Sequence, residues 1–168
     1  MPKILMVIAT KDFRDPEYFD PKKVLEASGS TVITTANAKT SKGAEGTQVN
    51  VDILLKDVRS ADYDAIAFIG GPGASEYFDD PKAHQLAKDM VSSGKVLAAI
   101  CAAVSTIANA GALKGKKATS FPGVADTVKA GGAIYTGKGV EADGKIVTAD
   151  GPGSAKAFGE AINKALKT

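Results

Sequence analysis

The sequence predicts an α/β domain built around a mostly parallel sheet, and three observations predict it. Short, apolar, β-rich runs alternate with helical stretches along the chain. The first run, KILMVIAT (Lys3–Thr10), is apolar almost throughout, as a strand covered on both faces has to be. Helices set between buried-type strands then impose βαβ units with right-handed crossovers.

Each element has its own signal. After Lys3–Thr10 come two cap-plus-proline starts, Asp15-Pro16 and Asp20-Pro21. They predict either one helix kinked at Pro21, or a short turn followed by a helix from Pro21 to Ser28 that Gly29 stops. Thr31–Ala36 is the next strand, and the polar, glycine-containing Ala38–Asn50 is a loop or small hairpin. Ala65–Gly70 is a third strand, running into Gly70-Gly71-Pro72-Gly73. Asp80 caps a helix that has Pro81 in its first turn and Gly94 as its stop. Within Lys82–Ser93, Ala83, Leu86, Ala87, Met90 and Val91 form one apolar stripe. Val96–Ile100 is a strand, and Ala102–Ala110 is a helix closed by Gly111. A short Ala118–Ser120 run follows. Ile134-Tyr135 and Val140-Glu141, with an Asp143-Gly144 turn, form a strand pair leading into Lys145–Ala149. The last helix, Ser154–Lys167, places Ala155, Phe158, Ile162 and Ala165 at helical spacing. No repeat or linker divides the 168 residues, so residues 1–168 form a single domain.

Composition narrows the chemistry. Lys and Arg total 21 against 19 Asp and Glu, without a basic cluster, so nucleic acid is not an expected partner. No apolar run approaches the roughly 18 residues of a membrane helix, and the N-terminus lacks a leader pattern; a cytoplasmic location is expected. One cysteine, Cys101, excludes an internal disulfide and a cysteine-based zinc site, and one histidine, His84, excludes a two-histidine metal site. No metal or cofactor is expected.

Ligands of open parallel sheets bind beyond the carboxyl ends of the strands. Lys11–Glu17, Gly70–Ser75, Cys101 and Phe121-Pro122 lie there. Val96–Ile100 runs straight into Cys101, and a helix follows at once. A residue at such an abrupt strand-to-helix turn sits in a strained elbow with its side chain exposed; Ala99, Ala102 and Ala103 are small enough to let the turn pack. The helix N-terminus would lower the thiol pKa and favour the thiolate. Against this stands the plainer reading of Cys101 as a small buried hydrophobe. The Gly70–Gly73 turn lacks the Lys-Ser/Thr of a phosphate loop. It is either a tight turn or a source of backbone N–H groups, from Gly70 and Gly71 with Ala102, for an oxyanion. Arginine is limited to Arg14 and Arg59, and Arg14 is the candidate anion contact. Glu17 in isolation is an ordinary helix-start carboxylate, and His84 is a surface histidine.

Taken together, the KILMVIAT strand with its acidic turn, YDAIAFIGGPG, KVLAAICAAVSTIANAGALKGKKAT and VEADGKIVTADGPGSAKAFGEAI resemble the ThiJ/PfpI superfamily over essentially the whole chain. The resemblance implies a flavodoxin-like three-layer α/β sandwich with a nucleophile-elbow cysteine at Cys101 and a partner carboxylate at Glu17. It also implies an oxyanion pocket from Gly71 and Ala102, and a homodimer or higher homo-oligomer. The chain departs from the family's branches at three places. Ala102 stands where the protease-like branch has histidine, Phe121 where the deglycase branch has histidine, and Asp150 where that same branch has arginine. The expected function is therefore action on a small reactive carbonyl, glyoxalase- or deglycase-like, or service as an oxidation-sensitive stress protein. In this reading a protonated Glu17 hydrogen-bonds the thiolate and lowers its pKa further. The alternatives are a cysteine hydrolase of protease or amidase type and a non-enzymatic, chaperone-like dimer.

Overall fold

The computed structural model describes the whole chain, Met1–Thr168. Its strands are β1 (Lys3–Val7), β2 (Lys11–Phe13), β3 (Thr31–Ala36), β4 (Thr40–Gly43), β5 (Gln48–Asn50), β6 (Ile53–Leu54), β7 (Ala65–Phe68), β8 (Val96–Ile100), β9 (Lys117–Ala118), β10 (Ile134–Tyr135), β11 (Val140–Asp143) and β12 (Ile146–Ala149). The α-helices are α1 (Asp15–Ala27), α2 (Pro81–Ser92), α3 (Val104–Asn109), α4 (Ala125–Ala130) and α5 (Ala155–Leu166). Seven strands form the central sheet in the order β11-β12-β8-β7-β1-β3-β6, parallel except for the β11–β12 hairpin. This is the flavodoxin-like sandwich the sequence implies.

Period-two alternation sorts the strand side chains into two layers. Leu5, Val7, Ile66, Phe68, Leu97 and Ala99 face one way, against Ala83, Leu86 and Met90 of α2 and Val104 and Ile107 of α3. Ile4, Met6, Ala65, Ala67, Val96, Ala98 and Ile100 face the other, against Leu25 of α1 and Phe158 and Ile162 of α5. Each fully buried large side chain contributes about 1.5–3 kcal/mol of apolar transfer. Helices α1 and α5 approach closely at Gly159, where an added Cβ would stand 2.9 Å from the Pro21 Cα.

Four details differ from the sequence pattern, the first being that Ile134–Tyr135 pairs in parallel with β9 and not with Val140–Glu141, which forms a hairpin with β12. The first strand stops at Val7, and Lys11–Phe13 turns away to pair with β4 in a small second sheet, which β4 and β5 complete as a hairpin. The first helix is continuous from Asp15, with Pro21 inside it. The backbone bond that proline forgoes is the one the Glu17 carbonyl would have accepted. A short helix, α4, forms where the periodicity predicted none.

Candidate active site

The strand-to-helix elbow is present and strained. Ile100 is extended (φ −129°, ψ 143°), and Cys101 then adopts φ +60°, opening a 3-10 turn over Cys101–Ala103 that leads into α3. A non-glycine residue in the left-handed region costs on the order of 1–3 kcal/mol, so the surrounding packing must hold it there. The turn aims the side chain back across the carboxyl edge of the sheet.

Glu17 meets it there from the first turn of α1, completely buried. The meeting point is Gly70. A Cβ added to that glycine would lie 2.4 Å from Glu17 Oε1, 2.7 Å from the Cys101 Cβ and 2.7 Å from the Ile100 carbonyl oxygen. Carboxylate and cysteine therefore border one small space, open only because residue 70 has no side chain. The next residue, Gly71, has φ +118°, and an added Cβ would strike the Arg14 nitrogen at 2.4 Å. Together the two glycines let the first loop close over the end of β7, where the Arg14 N–H donates to the Gly70 carbonyl at 2.9 Å.

The electrostatics of the pair follow from burial. Neither Glu17 oxygen has a partner in full hydrogen-bond geometry. Desolvation pushes the carboxyl from 4.5 up to about 7, although the nearby Cys101 thiol, the Arg14 charge and the Gly70 N–H favour its ionised form. Burial also pushes the Cys101 thiol up to about 12, with the Glu17 charge as the next cause; the Ala102 N–H and Arg14 oppose the rise. Two acids in one dry space cannot both ionise cheaply, so around neutral pH the pair carries at most one negative charge.

These findings correct several expectations. Cys101 is 7% exposed and packs with Ile100, Ile69 and Ala9, rather than standing open to solvent. Its thiol pKa is raised, not lowered, because burial and the Glu17 charge outweigh the short 3-10 turn at its back. The Gly70 N–H favours the Glu17 carboxylate, and the Ala102 N–H is the backbone donor that favours the thiolate. Phe121 is half exposed at the rim, its N–H on the Cys101 carbonyl at 3.3 Å. His84 is half-buried, not a free surface residue: its Nε2 pairs with the Phe78 carbonyl at 2.7 Å, which ties the start of α2 to the preceding turn.

Two further residues act on the site in roles the sequence did not assign them. Asp150, just past the carboxyl end of β12, raises the Glu17 pKa through its charge; extending the strand-end search to the last strand finds it. Glu76 accepts from the Thr10 N–H and hydroxyl, each at 2.8 Å, and from Asn37 Nδ2 at 2.7 Å. It thereby fastens the ends of β1 and β3 to the glycine turn. No local pattern marks that role.

The profile of the DJ-1/PfpI family matches residues 2–165. An uncharacterised protein of Methanocaldococcus jannaschii is 41% identical, covering 98% of this chain and 82% of its own. A deglycase of Pyrococcus abyssi is 30% identical over 97% of this chain and 99% of its own. A glutathione-independent glyoxalase of Caenorhabditis elegans is 30% identical over 97% and 88%. Among solved structures, a ThiJ/PfpI domain protein from Brachyspira murdochii superposes with a TM-score of 0.95 at 33% identity, covering 98% of this chain and 96% of that one. The profile spans nearly every residue and the fold agrees throughout, so this chain is a member of the DJ-1/PfpI family.

Proposed function

We propose that this protein converts small reactive carbonyl compounds, 2-oxoaldehydes above all, using Cys101 as nucleophile and Glu17 as proton carrier. The observation that carries the reading is the shared space at Gly70, where a strained cysteine and a fully buried carboxyl meet. The kinship with a deglycase and a glyoxalase supports it.

The reaction needs no external oxidant. With one proton removed from the pair, the Cys101 sulfur adds to the aldehyde carbon and a C–S bond forms. The carbonyl oxygen becomes an oxyanion beside the Gly71 and Ala102 N–H groups and is protonated to a hemithioacetal. Glu17, in its carboxylate form, takes the proton from that carbon and returns it to the neighbouring one, while the hydroxyl proton on the first oxygen passes to the second. The first carbon is oxidised as the second is reduced, leaving a thioester of a 2-hydroxy acid. Water then hydrolyses the thioester and regenerates the thiol. A carboxyl with a pKa of about 7 suits both taking and giving a proton near neutral pH.

Peptide hydrolysis is the weaker reading. Its Cys–His form calls for an imidazole beside the sulfur, and the ring of the single histidine is engaged with Phe78. No helix is long and apolar enough to cross a membrane. A working thiol without a second cysteine suits the reducing cytoplasm, where we place the protein.

The test is conversion of methylglyoxal to lactate, followed for the wild type, Cys101→Ala and Glu17→Gln. Loss of turnover in both variants is expected. Turnover that survives Cys101→Ala refutes the nucleophile, and its absence from the wild type refutes the activity.

A further inference from the structure

Arg14 is the one charged side chain around the cysteine whose role the chemistry above leaves open. It precedes the first turn of α1, and its backbone N–H is bonded to Gly70, whose missing side chain separates Glu17 from Cys101. The chain is half-buried there, and its Nε is shielded from water without a hydrogen-bond partner. No carboxylate lies within ion-pair distance of it, whereas the other arginine, Arg59, pairs with Asp62 at 3.8 Å.

The acidic groups around it do not neutralise it. Glu17, titrating at about 7, carries only part of a charge around neutral pH. Asp150 gives one oxygen to the Ser154 hydroxyl at 2.7 Å, and Asp15 gives one to the Glu45 N–H at 3.0 Å. A guanidinium is a rigid fork of donors that fits a carboxylate with two parallel bonds. Its Nε is desolvated at a cost, and the two terminal nitrogens of the fork, held by no hydrogen bond or ion pair in the structure, are the donors left for a ligand.

We propose that Arg14 receives an anionic group of the substrate, so that the site prefers reactive carbonyls bearing a carboxylate over neutral ones of the same size. The proposal rests on the carbonyl chemistry above for its substrate class, but not for its charge preference.

That independence shapes the test. Iodoacetate and iodoacetamide both alkylate Cys101: the sulfur attacks the methylene carbon, a C–S bond forms and iodide leaves. They differ chiefly in carboxylate against carboxamide. The ratio of their rates, divided by the same ratio for free cysteine, reads the charge preference directly. In the wild type the normalised ratio should be on the order of ten or more, the factor one charge-assisted hydrogen bond supplies. Arg14→Gln should return it to about one, and Arg14→Lys should keep part of it, since the charge stays and the fork is lost. A wild-type ratio at or below that of free cysteine, or one unchanged in Arg14→Gln, overturns the proposal.

A second arm compares turnover of 4,5-dioxopentanoate with that of its methyl ester. Preference for the acid, dependent on both Cys101 and Arg14, is the expected result. If neither is consumed while the alkylation ratio holds, the carbonyl chemistry falls and the Arg14 assignment stands. Equal consumption of both with a flat alkylation ratio sinks Arg14 alone.

Discussion

Replacing Glu17 with glutamine should change how stability depends on pH, by an amount the structure supplies. In the folded chain the carboxyl titrates at about 7 against an ordinary value of 4.5. Below 4.5 both folded and unfolded states hold the proton, and the group exerts no pH dependence. Between the two values the unfolded chain releases its proton while the folded chain keeps it, so rising pH favours unfolding. Above about 7 the folded chain has also released it, and the loss is complete. Each tenfold change in proton affinity is worth about 1.4 kcal/mol, which makes the full loss about 3 kcal/mol. Glutamine is nearly the same size and does not titrate, so Glu17→Gln should escape that loss. All other groups titrate alike in both proteins, and the difference between them isolates residue 17. Thermal melts at half-unit intervals from pH 4.5 to 8 are the assay. For a chain of this size, 3 kcal/mol corresponds to a Tm difference changing by about 6–12 °C over the range, in favour of the variant at high pH. A difference that stays flat, or drifts the opposite way, would show that the carboxyl is not held in a dry site.

Three further substitutions probe the supporting architecture. Gly70→Ala inserts a methyl where Glu17 Oε1 and the Cys101 Cβ already stand, 2.4 and 2.7 Å away. Cys101 alkylation and carbonyl turnover should change at least tenfold while the far-ultraviolet circular dichroism is retained. Gly159→Ala pushes α5 off α1 at Pro21, where the Cα is a backbone atom and cannot swing aside; urea unfolding should show a loss of about 1–3 kcal/mol. Asp80→Ala removes the acceptor for the Ala83 N–H at the start of α2, and the same assay should show a loss of about 1 kcal/mol.

Much of the architecture is legible in the sequence because its determinants are local. The two-sided apolar runs became β1, β7 and β8, and the Asp80-Pro81 start with the Gly94 stop bounds α2. The elbow could be read because a strand ends and a helical turn begins on either side of one cysteine. The environment of the sulfur could not. Its burial and its raised pKa come from segments far apart in sequence that converge through Gly70 and Gly71, and Glu17 as its partner is reached only through the resemblance of the whole chain to a family. Pro21 shows the same limit at smaller scale. Local rules permitted two helix starts, and packing against Gly159 on α5 accompanies the earlier one.

The flanks of the main sheet carry a separate benefit. One margin is β6, two residues long; the other is β11, where Glu141 and Asp143 interrupt the apolar pattern. A passing unfolded polypeptide finds almost no free backbone to zip onto at the first; at the second Glu141 faces Lys138 and Asp143 accepts from the Lys117 N–H, which ties that margin to the neighbouring strand. Margins this short and this occupied disfavour edge-to-edge pairing between copies of the sheet.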